Sequence, residues 1–178
     1  MEVIVEDGLA RLTMKRVALK MGFSEPAMYR HFKDKQDLMR GMIRRVRERF
    51  FQIVDQADFQ APPREFLEQT LCGLMRYLEE VNGVTILFLS DSTYNRDESL
   101  REELLEWFQG MVERFTLFLE GAKSRGETKP DLPVRGAALS IVGAIQCLTI
   151  RFVLGGGKLS ITGPCKEVVD FLSLGVSG

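Results

Sequence analysis

The stretch TMKRVALKMGFSEPAMYRHFKDK, residues 13–35, decides the fold. It reads as two short helices joined by a tight turn. Thr13 opens the first, with its hydroxyl placed to accept from an orphan backbone N–H one turn on. Val17, Ala18 and Met21 recur at helical spacing, and Lys15, Arg16 and Lys20 fall on other faces. Gly22 ends that helix, because the residue after a helix C-terminus often needs positive φ, which glycine adopts at little cost. Phe23 is expected to turn back into a small core. Ser24 caps the second helix, and Pro26 fits its first turn, where a missing N–H costs nothing. Met28 and Phe32 then face inward, leaving Glu25, Ala27, Tyr29, Arg30 and His31 for solvent or a partner. Helix, glycine turn and polar-faced helix make the outline of a helix-turn-helix.

Charge points the same way. Overall the 178 residues carry a net charge of −1, but residues 1–49 hold 12 Lys/Arg against 7 Asp/Glu, while residues 50–178 hold 12 against 18. A cationic end on a near-neutral chain suggests a nucleic-acid-binding head and a solvated remainder. The apolar fraction of 45% suits a protein with a packed core.

The run LTMKRVALKMGFSEPAMYRHFKDKQDL, residues 12–38, resembles the DNA-binding segment of TetR/AcrR-type transcriptional regulators. The resemblance joins a threonine cap, a glycine turn, a serine-capped helix, the Tyr-x-His-Phe run and a lysine at fixed offsets. It covers about the first quarter of the chain closely. It implies that Thr13, Tyr29, His31 and Lys35 clamp the DNA backbone, and that Lys15, Glu25, Pro26 and Ala27 face the floor of the major groove. Chemically, Ser24 offers a hydroxyl beside a helix N-terminus to phosphate, Arg30 can reach a phosphate or a guanine, and Ala27 can touch a thymine methyl. Glu25 fits only against a cytosine amine. The resemblance also implies a homodimer on a palindromic operator, usually a repressor, with an effector site in the larger domain. A longer first helix is implied too; residues 1–6 read as its end, closed by Asp7-Gly8, so its start is missing here.

Beyond the motif the chain reads as all-α, with about eight to nine helices, divided into a head at 1–45 and a regulatory and dimerisation body at 46–178. Asp34 caps a long helix with an inward stripe of Leu38, Met42, Val46, Phe50 and Ile53. Arg44, Arg45, Arg47 and Arg49 decorate its outer face. Ala61-Pro62-Pro63 breaks it and starts a helix carrying Leu67, Leu71, Leu74 and Leu78. VTILFLSDS (84–92) is short enough to be helix or strand, and is assigned helix for want of a pairing strand. A helix over 97–122 follows, with Gly121, Gly126 and Pro130 marking the loop after it. Residues 131–154 form a helix apolar almost all round, which needs partners on several sides. A last helix runs from Pro164 to Leu174. These two are expected to pair with their copies through Ala138, Ile141, Ile145, Leu148, Phe152, Val168, Phe171 and Leu172. Met75, Phe88, Trp107, Met111 and Phe115 are candidates to line an apolar or aromatic effector pocket, against the plainer reading of ordinary core.

Other chemistries find little support. His31 is the single histidine and has no nucleophile pattern beside it, so neither a catalytic triad nor a metal site is indicated, and no cofactor is expected. Cys72, Cys147 and Cys165 are odd in number, widely spaced and free of any CxxC pair. No disulfide framework is expected, which fits a reducing cytoplasm. No stretch reads as a membrane helix or a signal segment. A DNA-binding regulator released by an effector is the leading reading. A constitutive DNA binder whose body docks a protein partner is the alternative.

Overall fold

The computed structural model describes residues 12–86, 88–89 and 98–177. The expected helix end at residues 1–8 lies outside them, as does part of 84–92. Seven helices are bounded among the described residues: α1 (Met14–Met21), α2 (Glu25–Tyr29), α3 (Lys35–Asp55), α4 (Pro63–Glu80), α5 (Glu98–Ser124), α6 (Val134–Leu154) and α7 (Cys165–Val176). Residues 84–86 and 88–89 are also helical. The described residues contain no β-strand, only an isolated bridge between Thr128 and Ser177. The chain is all-α.

Local chemistry sets the helix ends. Asp34 accepts from the Asp37 amide at 2.8 Å, and the Asp37 carboxylate accepts from the Lys33 amide at 3.0 Å, so two orphan donors are satisfied reciprocally at the start of α3. Pro62-Pro63 opens α4, and Asn82 and Gly83, both at positive φ, close it. The α5 helix runs to Ser124, so Gly121 sits inside its last turn rather than in the loop after it.

Two clusters of buried side chains result. A small one joins Met14, Ala18, Met28 and Leu38, with Val17, Phe32 and Met42 against it. The large one runs through α3 to α7. Phe66 stacks on Phe118 with ring centroids 3.6 Å apart, and Phe50 meets Trp107 edge-on at 5.0 Å. The α3 helix takes part in both clusters without a break, so head and body share one rigid rod. Arg114 of α5 clamps that rod: it donates to both oxygens of Asp55, at 2.6 and 3.1 Å, while lying 3.8 Å over the Phe51 ring.

Two expectations are corrected here. Cys72 and Cys165 form a disulfide between α4 and α7. Their 93-residue separation carries no signal in spacing, and only the packing of the two helices brings them together. In addition, α6 is long and apolar enough to cross a membrane by length and composition. One of its faces instead packs into the body through Ile141, Ile145 and Leu148, all buried.

Glu79 fastens the loop between α6 and α7. Its carboxylate accepts from the Thr162 hydroxyl at 2.6 Å and from the Ser160 hydroxyl at 2.9 Å. Those donors, Thr162 first, hold the carboxyl below its ordinary value of 4.5, against an opposing effect of burial. A carboxyl depressed in the folded state stabilises above its unfolded value, and that stability is lost as pH falls through the folded one. Thermal unfolding of Glu79→Gln and the parent protein should therefore differ most above about pH 4.5 and converge below it. A difference unchanged between pH 7 and pH 3 would remove Glu79 from this role.

Candidate nucleic-acid interface

The head is built as its sequence suggests at the caps. The Thr13 hydroxyl accepts from the Arg16 amide at 3.2 Å, and the Ser24 hydroxyl from the Ala27 amide at 3.4 Å. Gly22 lies at φ 71°, with its amide donating to Leu19 and the Phe23 amide to Ala18 at 2.9 Å. That pair of bonds is a Schellman closure and fixes the angle between α1 and α2. No neighbour would meet a Cβ at Gly22, so backbone conformation alone selects glycine there. Met28 is buried and Phe32 packs beside it, which anchors α2 on the small core.

The remaining side chains of α2 are left to the surface. Pro26, Tyr29, Arg30 and His31 are exposed, Tyr29 by 52%, so the aromatic ring does not pack inward beside Met28. Glu25, Ala27 and Lys35 are partly covered. Thr13, Lys15 and Ser24 are exposed at the two helix starts. Candidate phosphate and base contacts are thus gathered on the two short helices and the start of α3. Two details differ from expectation. Phe23 and Met21 are 57% and 60% exposed instead of turning into the small core of Met14, Ala18, Met28 and Leu38. Both line an open apolar groove of about 810 Å³ on the flank of the head, together with Leu12, Phe32, Ala27 and His31. Ala27 and His31 therefore stand at the edge between that groove and the outer face.

In the body, the candidate effector residues divide. Trp107 and Met111 line a nest with Phe50, Thr85, Ile145 and Gln146, whose free volume is only about 10 Å³. Met75, Phe88 and Phe115 do not line it; all three are fully buried core. The Thr85 hydroxyl is buried in the nest and has no hydrogen-bond partner among the described residues.

The candidate dimer residues are also corrected. Ala138, Ile141, Ile145, Leu148 and Phe152 are buried within the protomer, and Val168 and Leu172 are half-buried against the same core. The five buried side chains pack against the protomer's own core, whereas Val168 and Leu172 keep part of their surface. Phe171 alone is open, at 75% exposure. The exposed face of α6 is the opposite one: Gly136, Ser140, Gly143, Cys147, Ile150 and Leu154 recur every three or four residues along it, with Leu139 alongside. Sequence reading missed this stripe because a helix apolar all round gives no direction to its inner face.

Paired short helices with caps at both starts, an outer face of hydroxyls and cations, and an all-helical body define a helix-turn-helix DNA-binding regulator. Residues 1–42 match the model for bacterial regulatory proteins of the tetR family. The match is to the head, 42 of the 178 residues, and the all-helical body follows it. The chain is similar to the nucleoid occlusion factor SlmA of Aliivibrio fischeri, 26% identical over 168 residues, covering 94% of this chain and 86% of the relative. Its fold is that of the transcriptional regulator FadR from Bacillus subtilis, solved in complex with stearoyl-CoA: TM-score 0.78 at 24% identity, over 98% of this chain and 94% of that one. SmeT, the repressor of a Stenotrophomonas maltophilia multidrug efflux pump, shares it in its triclosan complex, with TM-score 0.79 at 16% identity over 99% and 87%.

Proposed function

We propose that the protein acts in the cytoplasm as a homodimeric repressor, without enzymatic activity, binding a palindromic operator through Thr13, Lys15, Ser24, Glu25, Pro26, Ala27, Tyr29, Arg30, His31 and Lys35. Residues 1–45 serve as the head and 46–178 as the body. The observation that carries this reading is the pairing of two features: exposed donors on and just after α2, and exposed apolar side chains along α6, with Phe171 and Leu174 exposed on α7. One head alone binds weakly; two related by a two-fold axis read successive major grooves. The small residues Gly136, Ser140 and Gly143 allow close approach of α6 to its copy.

A small apolar or aromatic effector releases the operator. The nest of Trp107, Met111 and Phe50 supplies aromatic and methionine walls, and Thr85 supplies an unpaired hydroxyl. An unpaired buried hydroxyl costs about 1–3 kcal/mol, which a ligand offering a polar atom recovers. Free space of about 10 Å³ admits no such ligand, so binding must open the nest. The effector then favours a state whose heads are differently spaced, by no more than its differential affinity for the two states. The relatives solved with stearoyl-CoA and triclosan support an effector-binding body in this fold.

The closed nest also favours a second reading, in which the body docks a protein partner and DNA binding is constitutive. Similarity along nearly the whole chain to a nucleoid occlusion factor supports it. A thermal-shift screen of apolar and phenolic compounds separates the two. The effector reading expects saturable stabilisation of several degrees together with release of bound DNA, and loss of both in Trp107→Ala. Indifference to every compound, with DNA binding intact, favours the partner reading.

A further inference from the structure

The joined cysteines, Cys72 on α4 and Cys165 on α7, have Cα atoms 5.7 Å apart, and Cys147 stands apart on the exposed face of α6. Both residues line a surface cleft of about 670 Å³, with Arg76, Thr162 and Lys166 also on its walls; Cys72 is half-buried and Cys165 is 5% exposed. Cys165 is the first residue of α7, a twelve-residue helix, and a helix N-terminus favours thiolate over thiol. Lys166 follows it, and the Arg76 guanidinium is held on the same wall by donating to the Cys72 carbonyl at 3.3 Å. Glu65 and Glu68 of the cleft oppose that field, but Glu68 is paired to Arg64 at 3.0 Å, and Glu65 accepts from Gln69 at 3.2 Å.

We propose that Cys72 and Cys165 are a reversible thiol–disulfide switch, in which Cys165 is the nucleophile toward a hydroperoxide and Cys72 the resolving thiol. The Cys165 thiolate attacks a peroxide oxygen; an S–O bond forms, the O–O bond breaks, and the departing hydroxide or alkoxide takes a proton. The Cys72 thiolate then attacks the sulfenic sulfur; the S–S bond forms, and the S–O bond breaks with loss of water. Two thiols give up two electrons and two protons, and the peroxide is reduced. A dithiol reverses the exchange. Oxidation ties α7 to α4 covalently, whereas reduction leaves α7 held by packing, by the Arg64–Asp170 ion pair at 2.8 Å and by the Lys129 bond to the Leu174 carbonyl. Because α7 carries Phe171 and Leu174 on its exposed side, the switch extends to the surface proposed for the second copy. Disulfides in a reducing compartment are characteristically transient and regulatory, which on the cytoplasmic reading above points the same way.

The test uses the full chain, reduced and then given one equivalent of hydrogen peroxide. The expected result is a Cys72–Cys165 crosslinked peptide, reversed by dithiothreitol, with Cys147 recovered as a free thiol once the product is denatured and alkylated. In Cys72→Ser the Cys165 sulfenic acid has no resolving thiol and is trapped by dimedone, whereas Cys165→Ser reacts at least about tenfold more slowly. Reduction of the parent protein lowers Tm by roughly 5–15 °C. A linkage that resists dithiothreitol in the folded protein, oxidation of Cys147 ahead of the pair, or an unchanged Tm would overturn the proposal. None of these readouts involves DNA, so their failure is separate from failure of the proposed function.

Discussion

A Leu139→Glu, Ile150→Glu double variant is expected to sediment as a folded monomer and to lose roughly 100- to 10,000-fold in affinity for its operator, the advantage that joining two binding modules confers. Both side chains are exposed in the protomer, at 52% and 41%, so glutamate there disturbs no internal packing and Tm of the monomer unit should barely move. Carboxylates set into a surface paired with its own copy meet like charge and lose solvation. The control is Ile141→Glu, two residues beyond Leu139 and so on the opposite, fully buried face; it should unfold the body rather than dissociate it. Should the Leu139/Ile150 variant remain dimeric, the exposed stripe of α6 is not the interface.

Tyr29→Phe combined with Lys35→Ala is expected to weaken binding to all duplexes alike, by about a hundredfold or more, while leaving the preferred sequence unchanged. Tyr29 contributes a hydroxyl and Lys35 a cation, and neither role carries base identity. Each lysine removed should reduce the slope of log affinity against log salt by about 0.9, and a two-headed complex removes two. A retained slope with altered sequence preference would move these residues from the backbone to the base edges. Substitution at Ala27 should do the opposite, shifting preference at one or two positions with the salt slope intact.

What was legible in the sequence is local chemistry. Thr13, Ser24 and Asp34 cap their helices because a hydroxyl or carboxylate reaches an amide only three residues ahead, and Gly22 closes α1 through its own backbone. Those interactions are complete within a few residues, so their pattern is written in the chain. The Cys72–Cys165 bond is not, since it depends on how α7 lands on α4 across 93 residues. Nor is the outward face of α6, where apolar residues surround the axis and only the packing of α5 decides which side is spent. Phe23 differed for a related reason: its position in the Schellman closure was readable, but the open groove that its ring lines with Met28 and Leu38 arises only from how the helices pack.

The central claim is that two heads, held at fixed separation by their bodies, grip neighbouring turns of one duplex. Genomic fragments selected by the purified protein and then footprinted test it most directly. Two protected half-sites in inverted repeat, separated by about one helical turn of 34–36 Å or a multiple of it, are predicted. A single protected half-site occupied by one protomer would contradict the account.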